Sequence, residues 1–177
     1  TANARVFTVA QGEAEASPSA VTGQLLFHAV PLYALIDSGA THSFISYGML
    51  ERLGLKPTKA TQPIKIELPD GVSVVTQEIL LKESLVIKGR ELIIDLIVFD
   101  MPDFDVILGM DFLGRYGVEI DCRKKKARFN LDCGDKFSFG EGHQLSMLIS
   151  NVKARKMLRN GCSGYIAHVV QSGDVPQ

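Results

Sequence analysis

Turn-forming residues interrupt this chain so often that no long helix has room to form. Between Val21 and Leu131, groups of Gly, Pro, Asp and Asn recur about every dozen residues. The segments between them carry strand patterns. In PIKIELPDGVSVV, apolar Ile64, Ile66 and Leu68 alternate with polar neighbours, Pro69-Asp70-Gly71 reverses the chain, and Val72 and Val74 resume the alternation, which predicts a hairpin. GQLLFHAVPLYALID predicts two strands with a turn near His28 to Pro31. EILLKESLVIKGRELIIDLIVFD predicts two more around Lys88-Gly89-Arg90, the second so continuously apolar that both its faces are expected to be buried. DVILGMDFLGRYG predicts a strand running into a short helix, and GVEIDCRKKKARFNL a last hairpin turning at Arg123 to Lys126. One other short helix is expected, capped by Ser46, with Met49, Leu50 and Leu53 on one face and Gly54 at its end. The expected fold class is mostly β, a closed or barrel-like domain over residues 21–133 with one or two short helices.

The flanks differ in character. Residues 1–20 predict a short strand at Arg5 to Val9 followed by a small, polar, flexible connector, QGEAEASPSA. Residues 134–177 read as an extension: an irregular Gly-rich stretch, then a basic amphipathic helix over Ser150 to Arg159. A solvated face accounts for that helix's basic residues better than contact with RNA does. The formal net charge of −1 gives no global reason to expect a nucleic-acid or anionic-membrane partner. No run approaches the roughly 18 apolar residues of a membrane span, and the N-terminus lacks a basic-then-apolar leader, so a soluble, non-secreted chain is expected. Cys122, Cys133 and Cys162 are odd in number and lack C-x-x-C spacing, which predicts free thiols and no zinc site.

The feature that asks for a chemical explanation is YALIDSGATHSFIS, in which an apolar run ends in the carboxylate of Asp37. A charged group at the tip of a buried strand is costly unless it is hydrogen-bonded or its protonation state is useful. Amide hydrolysis without a metal or a nucleophilic side chain needs two carboxylates sharing one proton, so that one activates water while the other protonates the carbonyl oxygen. Each acid then needs a tight turn with glycine in third place and a hydroxyl residue between. Asp37-Ser38-Gly39 meets these requirements. The tripeptide alone is weak evidence, but Ala40 follows it, and a second apolar element ending in glycine, Val106-Ile107-Leu108-Gly109, leads into a helix further on. Competing chemistries find less support. Asp103 and Asp105 form a D-x-D pattern without a third ligand at a supporting spacing, and Ser38 and Ser43 lack the elbow or placed histidine of a serine nucleophile. IDSGATHS has neither the glycines nor the lysine of a phosphate-binding loop, and His42 reads as a surface residue near the helix start.

ALIDSGATHSFIS together with DVILGMDFL resembles the retropepsin-like aspartic proteases, most closely those in the polyproteins of plant gypsy-type long-terminal-repeat retrotransposons. The tail ISNVKARKMLRNGCSGYIAHVV is similar to the segment joining protease to reverse transcriptase there. The resemblance implies an endopeptidase, without cofactor or metal, that cleaves its own polyprotein in a cytoplasmic retroelement particle. It implies Asp37 as catalytic acid, Ser38 as the hydroxyl gripping the opposing loop and Gly39 as the turn glycine. Ala40 would line the substrate site, Ile107-Leu108-Gly109 would support the loop, and the hairpin Leu68-Pro69-Asp70-Gly71-Val72 would close over substrate as a flap. The flap departs from the family in having only Gly71 beside Pro69 at its tip, which implies stiffer closure. Because D-[S/T]-G occurs once, the second carboxylate must come from another copy, and a homodimer is implied. Terminal strands, Arg5 to Val9 and Gly117 to Leu131, would then pair across the two-fold axis. The alternative reading is a retropepsin-like dimerisation or peptide-binding module with little or no turnover.

Overall fold

A computed structural model of the chain describes residues 2–6, 21–68, 71–101 and 103–140. Among these residues there are eleven strands and two short helices, so the mostly β expectation holds. Strands β2 (Val21–Phe27) and β3 (Val30–Ile36) form a hairpin in which Val21 lies opposite Ile36 and Phe27 opposite Val30. Both turn residues, His28 and Ala29, have positive φ, at 48° and 61°. That mirror-image turn matches the twist of the two strands, and it is adopted here without a glycine. The His28 ring lies edge-on to Phe27 and its Nε2 is 2.7 Å from the Glu83 carboxylate.

Strand β4 (Phe44–Ser46) leads directly into helix α1 (Tyr47–Leu53). Ser46 Oγ accepts the Met49 N–H at 3.2 Å, and Gly54 ends the helix in the left-handed conformation with φ 64°, as the sequence predicts. Strands β5 (Thr58–Glu67), β6 (Ser73–Ile87) and β7 (Arg90–Phe99) follow. The sequence pattern divides β6 into two strands, whereas the structure runs it unbroken for 15 residues. A register shift between Leu80 and Glu83, with Lys82 at φ 56°, bends it in place of a break. The bend lets one strand pair with β5 at its start and with β2 and β7 at its end.

Strand β8 (Val106–Leu108) pairs in parallel with β3 and runs into helix α2 (Met110–Arg115). Strand β1 (Ala2–Arg5) joins the outer side of β5, giving an eight-stranded order β1-β5-β6-β2-β3-β8-β4-β7, in which β6 pairs again with β7. Strands β9 (Glu119–Asp121), β10 (Lys126–Asn130) and β11 (Lys136–Phe139) form a second, antiparallel sheet.

Two sequence expectations need correction. The packed body was expected to begin at residue 21, yet Ala4 and Val6 are 2% and 1% exposed and belong to the core, and the first strand is Ala2–Arg5. It was expected to close at 133, yet β11 lies beyond that point and Phe139 is buried with β2 and β10 side chains. Within the chain, Ala2–Arg5 pairs with β5 and β9 pairs with β10, and residues 7–9 of the first strand expected to pair across a dimer axis lie outside the described residues. Each error has one cause: a four-residue strand carries too little pattern to be told from a loop until its neighbours are known. The expected helix over 150–159, the rest of the tail and the connector over 7–20 lie outside the described residues.

Two apolar clusters result. The larger takes Val21, Leu25, Phe27, Ala34, Ile36, Met49, Phe112, Phe129 and Phe139; the smaller takes Ala4, Val6, Leu35, Ala40, Phe44, Ile66 and Ile107. Strand β3 contributes alternate residues to both, which explains why its sequence is apolar on both faces. The Phe139 ring lies over Gly23, so close that a first side-chain carbon there would fall 2.7 Å from it. Phe139→Ala is therefore expected to lower unfolding free energy by about 3–5 kcal/mol. A chain ended at residue 133 is expected to unfold at lower urea concentration than one ended at residue 140.

Candidate active site

The parallel β3–β8 ladder continues one residue past Ile36, because the Asp37 N–H donates to the Leu108 carbonyl at 3.0 Å. The chain then turns tightly. Asp37 Oδ1 accepts the Gly39 N–H at 2.8 Å, and the Asp37 carbonyl accepts the Ala40 N–H at 3.2 Å. Asp37 Oδ2 is enclosed by the chain, Asp37 and Gly39 are half-buried, Ser38 is exposed and Ala40 is fully buried. The small residues after the acid are thus required by the turn itself.

A second set of contacts holds the turn from the β8–α2 junction. The Met110 N–H donates to the Ala40 carbonyl at 2.8 Å. Gly109 passes so close to the loop that an added Cβ would fall 2.2 Å from the His42 carbonyl oxygen, so no other residue fits without displacing backbone. Ser43, fully buried, accepts the Gly109 N–H through Oγ at 3.0 Å and donates the same hydroxyl to Asp111 Oδ1 at 2.7 Å. The same Asp111 oxygen accepts the Phe112 N–H at 2.8 Å, in the first turn of α2 where the helix dipole favours a negative charge. The Ser43 carbonyl accepts the Ile97 N–H at 2.9 Å and ties the loop to β7.

Asp105, directly before β8, performs a parallel task at the middle of β3. Its Oδ2 accepts the Tyr33 N–H at 2.7 Å, its N–H donates to the Tyr33 carbonyl at 3.1 Å, and its carbonyl accepts the Ser46 N–H at 3.0 Å. Burial pushes its carboxyl above the ordinary value, against the opposing influences of the Tyr33 N–H and the Arg52 charge. One acid of the D-x-D pattern is thus committed to backbone. Among the described residues no three His, Cys, Asp or Glu side chains converge as metal ligands would.

At the hairpin, the Leu68 N–H donates to the Val72 carbonyl at 2.9 Å and the Gly71 N–H to the Leu68 carbonyl at 3.1 Å, with Gly71 at φ 82°. Val72 is 53% exposed, and Leu68 packs on the smaller cluster that contains Ala40 and Ile107. Pro69 and Asp70 lie outside the described residues. The structure thus brings Asp37, Ser38, Gly39 and Ala40 together with Ile107, Leu108 and Gly109, and joins the hairpin to them through a shared apolar cluster. Sequence reasoning missed Ser43, Asp105 and Asp111 as structural partners of the site. Ser43 is 66 residues from Gly109, and no local pattern signals so distant a bond.

A carboxylate in a tight turn at the tip of a doubly buried strand, braced by a strand-to-helix glycine, has the form of one half of an aspartic-protease site. The sequence profile of the retroviral aspartyl protease family matches residues 1–134, and the chain belongs to that family. Among solved structures it is similar to the retroviral protease-like domain of Ddi1 from Leishmania major, with a TM-score of 0.50 and 18% identity over 71% of this chain and 96% of that one. That likeness establishes a retropepsin-like fold. None of the curated proteins compared with the chain matches it.

Two outcomes test the bracing. Ser43→Ala leaves the Gly109 N–H and Asp111 without their shared partner and is expected to cost about 1–3 kcal/mol in urea unfolding. Asp105→Asn keeps an acceptor for Tyr33 and removes the buried charge. Because the folded-state pKa of Asp105 is raised, its ionised form weakens the fold above that pKa, and the loss is recovered as pH falls through it toward the unfolded value. The stability of wild type relative to Asp105→Asn is therefore expected to rise as pH falls from neutrality toward the ordinary carboxylate range in paired urea titrations.

Proposed function

We propose that the chain is an aspartic endopeptidase that acts as a homodimer, with the two Asp37 carboxylates meeting across a two-fold axis. The observation that carries this reading is the Asp37 turn: a family-specific acid, held by backbone on both sides, in a chain with one D-S-G. The strand circuit β6-β2-β3-β8-β4-β7 would be the barrel of each half, with the hairpin at Leu68 to Val72 as its flap. Two like charges at close range cannot both ionise, so the pair keeps one proton. The ionised partner takes a proton from water as that water attacks the peptide carbonyl, and the protonated partner donates to the carbonyl oxygen. As the tetrahedral intermediate collapses and its C–N bond breaks, the partner that took the water proton gives it to the leaving amine, and the other takes a proton from a hydroxyl of the intermediate, so the pair again holds one proton. Ser38, exposed beside the acid, would bond the opposing loop. The proposed substrate is the retroelement polyprotein, in the gypsy type to which the sequence motifs are similar, within a cytoplasmic particle.

Asp37→Asn is expected to leave the fold intact and reduce peptide cleavage below about a hundredth of wild type. The wild-type rate should follow a bell in acidic or mildly acidic pH, be blocked by pepstatin and be unaffected by EDTA. Specific activity should rise with protein concentration, and excess Asp37→Asn should poison the wild type by forming dead heterodimers. A chain that binds peptide but never cleaves it under these conditions would instead be the binding module.

A further inference from the structure

Strand β1 lies in a slot with two walls. One wall is the end of β5: Ala2 lies opposite Ile64 and Arg5 opposite Glu67 in a parallel ladder, and the Val6 N–H donates to the Glu67 carbonyl at 3.1 Å. The other wall is the segment leaving the D-S-G turn. There the Arg5 N–H donates to Thr41 Oγ1 at 2.9 Å, and the Thr41 N–H donates to the Arg5 carbonyl at 3.0 Å. The floor is the smaller apolar cluster, into which Ala4 and Val6 are buried while Asn3 and Arg5 stay exposed. Each wall is braced without β1. Ile66 and Glu67 pair with Val74 and Ser73 across the hairpin, and the acid turn is held from Leu108 and Met110.

We infer that this slot is the peptide groove of the acid site, and that the chain's own residues Ala2 to Val6 fill it as a displaceable, autoinhibitory occupant. The identity of the groove rests on the peptidase reading above, which assigns the space between the hairpin and the acid turn to substrate. β1 is held there as an extended peptide would be. Its backbone bonds alternately to the two walls, Arg5 to Thr41 and Val6 to Glu67, and any extended peptide without proline presents the same alternation. Only every second side chain enters the floor, small Ala4 and branched Val6. The groove therefore selects a peptide with small or β-branched apolar residues two positions apart and a solvent-facing residue between them. The Arg5–Glu67 ion pair, with side-chain exposures of 54% and 41%, adds little to that selection. Residues 7–20 join the occupant to β2, and so short a covalent tether holds it at an effective concentration on the order of millimolar. A substrate from solution competes with this resident strand and enters only as the strand leaves. Occupancy by β1 thus raises KM and leaves kcat alone, since the bonds that hold Asp37, from Leu108 and Gly39, do not pass through β1.

The test uses the full chain with a site for a sequence-specific protease inserted between residues 11 and 20, cut there and desalted. The cut chain is expected to keep the amide protection of β2 and β3 and to release its N-terminal fragment. Its KM should fall at least about tenfold below that of the uncut chain, with kcat within about twofold. A labelled peptide of residues 2–6, Ala-Asn-Ala-Arg-Val, should rebind the cut chain in fluorescence anisotropy and inhibit cleavage competitively. The same peptide N-methylated at its arginine cannot donate to Thr41 and should bind about three- to tenfold more weakly. In the uncut wild type, the Arg5 and Val6 amides should be protected from hydrogen exchange at least about tenfold less than those of β2 and β3, because the strand leaves without global unfolding. Arg5 and Val6 amides that exchange only with β2 and β3, or a cut chain that unfolds, would make β1 a structural strand and overturn the occupant. So would a folded cut chain that does not rebind the peptide. A chain that cleaves with the same KM cut or uncut would keep the proposed function and remove the occupant. A cut chain that rebinds the peptide but cleaves nothing would defeat the proposed function and leave the groove and its occupant standing.

Discussion

The hydrogen bond from the Asp37 amide to the Leu108 carbonyl closes the parallel β3–β8 ladder at the point where the carboxylate leaves it. Strand tips ordinarily fray, because their last backbone groups have no neighbour to pair with. Here the neighbour is present and is itself fixed, since β8 passes at once into α2. The start of that helix is tied to the loop through Met110, Gly109 and Asp111, and its end is tied to β7. Past its last residue, the Tyr116 hydroxyl accepts the Ile93 N–H at 2.7 Å and donates to the Ile93 carbonyl at 2.9 Å. A helix of six residues cannot hold itself together by propensity, so its rigidity comes from these anchors at both ends.

The two apolar clusters divide the mechanical roles. The larger one holds the second sheet, α1 and α2 against the central strands, while the smaller one forms the floor beneath the turn, the hairpin root and β1. Strand β3 lies between them and cannot shift without disturbing packing on both sides. Placing the acid at the end of such a strand gives it a fixed position of the kind that proton transfer demands.

The tied-down loop and the tied-down hairpin also bear on the sparse glycine at the hairpin tip. Gly71 alone takes a positive φ among the described hairpin residues, and Leu68 is bonded across to Val72.

The sequence by itself determined the elements whose pattern is local. The alternation around Ile64 and Val74 appears as a hairpin, Ser46 and Gly54 bound the first helix, and D-S-G with its flanking apolar run locates the acid. Tertiary structure alone decided the contacts between distant segments: the hydroxyl of Ser43 on Gly109 and Asp111, Asp105 on the Tyr33 backbone, and Arg5 between Glu67 and Thr41. It also decided that β1 and β11 belong to the packed body and that β6 bends without breaking. The physical reason is one of range. Caps, turns and periodicity act over a few residues and leave a signature in composition, whereas a buried hydroxyl or a four-residue strand is defined by partners tens of residues away, which appear only when the chain has closed on itself.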